Sequence, residues 1–168
     1  GRAPVAPSRS GARAGDRLWV TGMIGDAALG LALLKAGKTS PKTAISAYRR
    51  PTPLLAQGRA LAPHVSAMMD VSDGLLLDAA RMAEASGLAL DIALDAIPLS
   101  QVVSASGMGT LAAATAGDDY QLLFAAAPDA KLPVAATPVG RFSNGSGLTL
   151  TDAGRPVPLP DRLGYLHG

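Results

Sequence analysis

Residues 64–94 of the chain read HVSAMMDVSDGLLLDAARMAEASGLALDIAL, and this stretch decides the fold. The apolar run over residues 64–71 predicts a buried strand, and the alternation over residues 88–94 predicts a second one. Between them, residues 73–86 have the period of an amphipathic helix that ends at Gly87. A helix between two strands indicates a layer of helices packed on a sheet. The predicted polar face of this helix carries Asp78, Arg81 and Glu84.

The flanking sequence extends the same pattern in both directions. Further strands are predicted at residues 17–23, 120–127, 134–142 and 148–150, and helices at residues 26–36 (with Asp26 as N-cap), 41–50, 54–61 and 100–106. We therefore predict an α/β (α+β) fold, a mixed sheet with helices packed on it. Residues 1–16, rich in Arg, Gly, Ser and Pro, are predicted to form an extended lead-in, and residues 17–168 one α/β domain.

The composition narrows the classes of function. The chain has 168 residues, enough for one domain with a buried core. A net charge of +2, with one Trp and two Phe, argues against a nucleic-acid partner. No apolar run approaches the roughly 20 residues of a membrane span, and no cysteine is present to form disulfides or thiolate metal sites. Since the start has neither an initiator Met nor a signal-peptide pattern, we expect a cytoplasmic protein and a piece of a longer one.

The strongest candidate site is Asp70-Val71-Ser72-Asp73-Gly74, at the predicted junction between strand and helix. Two carboxylates with a hydroxyl between them, beside the free N–H groups of a helix start, suit Mg²⁺ and a phosphate. The alternative is structural: Ser72 or Asp73 is the N-cap of the helix, and Asp70 is a solvated strand end. The pattern alone favours neither.

A second candidate is Gly117-Asp118-Asp119-Tyr120-Gln121, which leads into a predicted strand. Two adjacent acids could bind a cation or a cationic ring. They could equally form a turn, and the pattern alone favours the turn because Gly-Asp is common turn chemistry.

In their order along the chain, these motifs resemble the thiamine-monophosphate kinase family. The resemblance covers nearly the whole chain and corresponds to the C-terminal half of that family, so the N-terminal ATP- and Mg²⁺-binding domain is expected to be absent here. It implies the fold of the C-terminal domain of the aminoimidazole-ribotide-synthetase-like superfamily. The matching segments are Arg9-Ser10-Gly11-Ala12, Gly15-Asp16, Val20-Thr21-Gly22, Gly25-Asp26, Gly30-Leu31, Arg50-Pro51-Thr52-Pro53, Asp70 to Leu75, Gly117 to Leu122, and Gly164-Tyr165.

The resemblance implies a kinase that transfers the γ-phosphate of ATP to thiamine monophosphate, giving thiamine diphosphate. No protein nucleophile is expected, because phosphoryl transfer depends on positioning and charge neutralisation. The full-length protein is expected to be a homodimer, and this chain alone is expected to be inactive because it holds only part of the site. The residues implied are Asp70 and Asp73 for Mg²⁺, Arg9 and Ser72 for ATP, and Gln121 and Tyr165 for the thiamine substrate.

One departure from the family pattern lies at position 121, where Gln replaces Glu and removes a carboxylate that could face the cationic thiazolium. Two other functions stay open as alternatives. The first is another ATP-using member of the superfamily, a selenophosphate or purine-pathway synthetase, against which the Asp-Asp-Tyr motif and the Gly-Tyr tail argue. The second is a non-catalytic binding module.

Overall fold

A computed structural model describes residues 6–166 of the chain. Helices and strands are interspersed in the first two thirds of the chain, and four strands follow one another after the last helix. Two short 3₁₀ turns, Ala62–His64 and Leu94–Ala96, connect some of these elements. In chain order the elements are β1 (Arg17–Val20), α1 (Asp26–Lys35), α2 (Lys42–Arg49), α3 (Leu55–Leu61), β2 (Ala67–Asp70), α4 (Leu75–Ser86), β3 (Leu88–Ala93), α5 (Gln101–Ala105), α6 (Thr110–Ala114), β4 (Leu122–Ala126), β5 (Thr137–Asn144), β6 (Gly147–Asp152) and β7 (Arg155–Val157).

The strands of the described region form a single mixed sheet in the order β2-β4-β1-β5-β3-β6-β7. Every neighbouring pair is antiparallel except β3 and β6, which run parallel. The predicted fold class, a mixed sheet with helices packed on it, is confirmed. No helix within residues 6–166 is both long and apolar enough to cross a membrane.

The sheet is buried on both faces where β4 runs through it. Successive side chains of a strand point to opposite faces. Leu123 and Ala125 accordingly belong to the main core with the apolar face of α4, whereas Phe124 and Ala126 pack with Leu61 of α3. The main core holds α4 firmly, because its apolar side chains are fully buried; these are Leu75, Leu76, Ala79 and Met82.

Several predicted boundaries are wrong by a few residues; β1 ends at Val20 rather than at residue 23, and β5 begins at Thr137 rather than at residue 134. The strand predicted from residue 64 begins only at Ala67, because Pro63 lies in a 3₁₀ turn that ends at His64. The helix predicted from residue 73 begins at Leu75, since Gly74 takes a φ of 126° that side chains disfavour. Asp26 is the first residue of α1 rather than its N-cap, a position that Gly25 occupies.

Two elements were not predicted at all. Helix α6 has only five residues, too few to show a period, and it also lacks a capping side chain such as Ser100, which precedes the equally short α5 that was predicted. Strand β7 carries Pro156, which normally argues against a strand and is tolerated here because β7 lies at the sheet edge.

Residues 6–16 have neither helix nor strand, yet they are attached to the sheet. The carbonyl of Ser8 accepts the N–H of Met68 at 3.2 Å, and the carbonyl of Asp16 accepts the N–H of Phe142 at 2.9 Å. Asp16 itself is buried. Within the described part of the predicted lead-in, the chain therefore contacts the domain at Ser8 and at Asp16.

Candidate active site

The 70–74 loop, which joins β2 to α4, runs beside the 117–121 segment, which precedes β4. The N–H of Val71 donates to the carbonyl of Gln121 at 2.8 Å, and the N–H of Tyr120 donates back to the carbonyl of Val71 at 2.8 Å. These bonds continue the pairing of β2 with β4 beyond the ends of both strands. The two motifs noted in the sequence therefore lie side by side.

Two more backbone hydrogen bonds extend this arrangement to a third motif. The N–H of Asp118 donates to the carbonyl of Ser72 at 2.9 Å. The N–H of Tyr165, in the C-terminal tail, donates to the carbonyl of Asp73 at 2.8 Å. All three motifs meet at the start of α4.

Glycine is required where these segments touch. A Cβ on Gly164 would lie 2.7 Å from the Cβ of Leu77, and a Cβ on Gly117 would collide with the carbonyl oxygen of Ser72. The 117–121 segment is also bent unusually, with left-handed φ angles of 71° at Asp118 and 50° at Tyr120. Residues other than glycine seldom adopt left-handed φ angles, and those that do are often found at functional sites.

The start of α4 is held by a residue that the sequence did not reveal. Asp78 was predicted on the polar face, but its side chain is fully buried. One oxygen, Oδ2, accepts the N–H groups of Ser72 at 3.0 Å and Asp73 at 2.9 Å. The N-cap of α4 is Gly74, with no side-chain capping bond. The alternative in which Ser72 or Asp73 caps the helix is therefore wrong.

Arg81, one turn further along α4, links two carboxylates. Its Nη1 donates to Oδ1 of Asp78 at 3.0 Å and to Oδ2 of Asp73. Burial raises the pKa of Asp78, against the opposing effect of its hydrogen bonds from Asp73, Arg81 and Ser72. The hydrogen bond to Asp73 is the main cause that raises the pKa of Arg81, so this side chain is a permanent cation.

A cavity of about 700 Å³ opens between α1 and the three joined segments. Small apolar side chains of α1 form one wall, with Lys35 at its end, and the opposite wall is acidic and aromatic. The lining residues are Ala27, Ala28, Leu31, Ala32, Lys35, Ser72, Asp73, Thr115, Ala116, Gly117, Asp118, Tyr120, Gly164 and Tyr165.

The acidic wall produces a concentrated negative field. The pKa of Tyr120 is raised first by the charge of Asp118, then by burial, and further by the charges of Asp70 and Asp73. Three carboxylates therefore act on one phenol, and such a field favours a bound cation. Within residues 6–166, no group of three or more Asp, Glu, His or Cys side chains is arranged to hold a metal by itself.

The 117–121 segment is fastened to α1 through Asp119. Both carboxylate oxygens of Asp119 accept the N–H of Gly25, at 3.1 and 3.0 Å, and the N–H of Ala27 is a further donor. Burial, together with the charges of Asp26 and Asp118, nevertheless raises the pKa of Asp119 to about 7. The sequence pattern gave no sign that Asp118 and Asp119 would point to different places.

The structure brings together some of the predicted site residues. Ser72, Asp73 and Tyr165 line the cavity, and Tyr165 is exposed over nearly two thirds of its surface. Asp70 is exposed at the end of β2, near enough for its charge to act on Tyr120.

Two predicted residues lie elsewhere. Oε1 of Gln121 accepts the hydroxyl of Thr21 at 3.0 Å, and Gln121 is absent from the cavity lining. Arg9 is exposed, and its carbonyl accepts the hydroxyl of Ser86 at the far end of α4 from Ser72. Because α4 rises about 1.5 Å per residue, roughly 20 Å separate the two ends. Their contacts with substrate and ATP remain predictions.

The amino-acid sequence of the chain is similar to those of known thiamine-monophosphate kinases. The chain is 36% identical to a thiamine-monophosphate kinase of Caulobacter vibrioides, over an alignment that covers 95% of this chain and 50% of that protein. A thiamine-monophosphate kinase of Salmonella typhimurium is also 36% identical, with 96% of this chain and 55% of that protein covered. The chain thus spans about half the length of the curated relatives that it matches.

Solved structures give the same result. The structure of AaThiL complexed with AMPPCP and TMP superposes with a TM-score of 0.84 at 31% identity, covering 98% of this chain and 55% of that one. Residues 13–153 match the family described as AIR synthase related protein, C-terminal domain. This match takes in α1, the 70–74 loop and the 117–121 segment, which all line the cavity, but not the tail with Gly164 and Tyr165. The chain therefore belongs to the family of AIR synthase related proteins, of which it contains the C-terminal domain.

Proposed function

We propose that the protein to which this chain belongs transfers the γ-phosphate of ATP to thiamine monophosphate, and that this chain supplies one half of the active site. The observation that carries the proposal is the joining of the 70–74 loop, the 117–121 segment and the tail around one cavity. Relatives that match nearly the whole chain are thiamine-monophosphate kinases, and a structural neighbour contains AMPPCP and TMP.

The chemistry of the cavity suits a thiamine phosphate. Its volume of about 700 Å³ is within the range of small-molecule sites. A thiazolium cation would be stabilised by the charge of Asp118, and by the face of an aromatic ring such as Tyr165. Lys35 lines the same cavity and offers a cation to a phosphate.

Mg²⁺ fits the residues that are present. Asp70 and Asp73 offer hard oxygen ligands, and Mg²⁺ is commonly held by one or two carboxylates plus substrate phosphates. We propose these two as its ligands in this chain, with Ser72 as a contact of ATP. When bound, the metal would neutralise charge on the phosphates. The chain's own residues orient the acceptor and keep it beside the 70–74 loop.

Four further predictions accompany the proposal. We propose a homodimeric state and contacts of Arg9 with ATP and of Gln121 with substrate, as the resemblance implies, and also a cytoplasmic location. This chain by itself is not expected to catalyse transfer. Holding the reactants together is worth up to about 7–11 kcal/mol when a site is complete.

The experiment uses the longer protein and two substitutions, Asp70→Asn and Asp73→Asn. Each should reduce thiamine monophosphate turnover strongly at limiting Mg²⁺, with a smaller loss at saturating Mg²⁺, because a metal ligand is removed. Asp95→Asn, at an exposed position away from the cavity lining, is the control and should leave turnover unchanged.

Turnover like that of the wild type in both variants would contradict the proposed metal site. Substrate choice is tested separately, by offering selenide or formylglycinamidine ribotide in place of thiamine monophosphate. Faster turnover of either would favour a synthetase of the same superfamily. Failure to turn over any of the three would favour a binding module.

A further inference from the structure

We infer that Asp78 is a positioning residue that fixes the backbone and charge of the 70–74 loop, so that Ser72 and Asp73 are presented to the cavity. This inference rests on the proposed function, since it explains how the proposed ATP and Mg²⁺ residues are held. Asp78 does not line the cavity and would not touch substrate or metal.

The first support is the burial of Asp78. Its side chain has no exposed surface, and a buried carboxylate is costly unless it is paired and hydrogen-bonded. A carboxylate in the first turn of a helix ordinarily interacts with that helix's own N-terminus. The partners here are instead Ser72 and Asp73, the two residues that precede the N-cap Gly74. The carboxylate therefore stabilises the loop rather than the helix.

The second support is that both loop residues are held from two sides. Ser72 donates its N–H to Asp78 and accepts the N–H of Asp118 on its carbonyl. Asp73 donates its N–H to Asp78 and accepts the N–H of Tyr165. With donor and acceptor both engaged, neither residue can rotate its backbone without losing a hydrogen bond.

The third support is the second oxygen of Asp78. Oδ1 accepts Nη1 of Arg81, and the same nitrogen donates to the carboxylate of Asp73. Asp78 thus holds Asp73 in two ways: it accepts the backbone N–H of Asp73 directly, and it is linked to the carboxylate of Asp73 through Arg81. Outer partners of this kind set the orientation of metal-binding carboxylates, and their loss typically weakens metal affinity about 10–100-fold.

The test uses Asp78→Asn in the longer protein, with Glu84→Gln as control, because Glu84 is an exposed acid on the same helix. Urea unfolding first establishes that both variants fold. Amide hydrogen exchange then reports on the loop, and Mn²⁺ serves as a paramagnetic probe for the divalent-cation site. In the wild type, Mn²⁺ should broaden the amide signals of residues 70–74.

In folded Asp78→Asn, the amides of Ser72 and Asp73 should exchange at least tenfold faster than in the wild type, while those of β4 stay protected. The Mn²⁺ concentration needed for half-maximal broadening should rise about tenfold or more. Glu84→Gln should change neither. A folded Asp78→Asn with unchanged exchange and unchanged Mn²⁺ affinity would overturn the inference.

The experiment distinguishes a failure of the proposed metal site from a failure of the inference about Asp78. If Mn²⁺ does not broaden residues 70–74 in the wild type, the proposed metal site fails, and hydrogen exchange alone decides the role of Asp78. If Asp78→Asn does not fold, the role of Asp78 is judged from the amide hydrogen exchange of Ser72 and Asp73 in the wild type. Slow exchange at Ser72 and Asp73 would then support the inference, and exchange at the rate of an unfolded chain would refute it.

Discussion

Asp119 and Gly25 lie 94 residues apart in the sequence, yet the carboxylate of Asp119 accepts the N–H of Gly25 through both of its oxygens, at 3.0 and 3.1 Å. This contact fastens the wall formed by residues 117–121 to the start of α1. The pKa of the Asp119 carboxyl is raised to about 7, mainly because the group is buried and also because of the negative charges of Asp26 and Asp118.

The raised pKa predicts a pH dependence of stability. A carboxyl with a higher pKa in the folded chain holds its proton more tightly there than in the unfolded chain. Its stabilising contribution is therefore complete below its ordinary pKa of 3.8 and is lost as the pH rises through about 7. The side chain in Asp119→Asn is neutral at every pH, so the stability of this variant should not fall in this way as the pH rises.

Urea unfolding between about pH 5 and pH 8 measures the effect. The free energy of unfolding of the wild type, relative to Asp119→Asn, should fall with rising pH by at most about 1.4 kcal/mol per pH unit, and level off above about pH 7. Asp95→Asn, at an exposed position, is the control. A difference between wild type and Asp119→Asn that does not vary with pH would contradict the prediction.

Gly117→Ala tests the contact between the two motifs. The added methyl group would meet the carbonyl of Ser72 and approach the Cα of Asp73 to 3.4 Å. Overpacking against backbone of this kind should lower the free energy of unfolding by about 1–3 kcal/mol. Gly109→Ala is the matched control, since nothing lies within 4 Å of its Cβ position and it should change stability by less than about 0.5 kcal/mol. Equal stability of the two variants would show that the segments can separate at little cost.

Arg81→Met tests the bridge between Asp73 and Asp78. The methionine keeps an apolar stem but leaves the buried Asp78 carboxylate without its cation. Because Arg81 is about one third exposed, we expect a loss of stability of about 1–3 kcal/mol, as for a hydrogen bond to a charged group, rather than that of a fully buried ion pair. Arg59→Met, at an exposed position of α3, should change little. Chemical unfolding of both variants provides the comparison, and similar values would show that the bridge contributes nothing.

Gln121→Glu tests the one departure from the family pattern. Oε1 of Gln121 already accepts the hydroxyl of Thr21, and a carboxylate can accept it equally well. The resemblance implies that position 121 faces the thiazolium, so the added charge should tighten the Kd of thiamine monophosphate about tenfold in the longer protein. Tyr165→Ala, which removes a residue that lines the cavity, should weaken binding clearly. The Kd is measured by calorimetry, and a change of less than about threefold in Gln121→Glu would contradict the contact, in agreement with the position of this side chain outside the cavity lining.

Most helices and strands could be predicted from the sequence because the hydrophobic pattern of each lies within a short stretch of the chain. The period of residues 75–86 and the alternation over residues 88–93 each lie within one element and are visible in a single pass. Helix α6 and strand β7 were missed because a five-residue helix and a proline-bearing edge strand carry almost no periodic signal.

The candidate site was predicted less completely because its contacts join distant parts of the chain. The motif 70–74 was identified, but the role of Asp78 depends on its turning back toward two N–H groups that precede its own helix. An acid next to Arg81 and Glu84 has the pattern of a solvated face. The roles of Asp118 and Asp119 likewise separate only because left-handed backbone at Asp118 turns the two side chains apart.

Four hydrogen bonds between peptide groups join the three motifs. Such bonds do not depend on which side chains the residues carry, provided that glycine is kept at positions 117 and 164. Residues such as Tyr165 and Gln121 can therefore be exchanged during evolution without dismantling the frame that displays them. A domain of this design could acquire a new ligand preference by drift at a few positions, and a protein engineer could begin with libraries at those same positions.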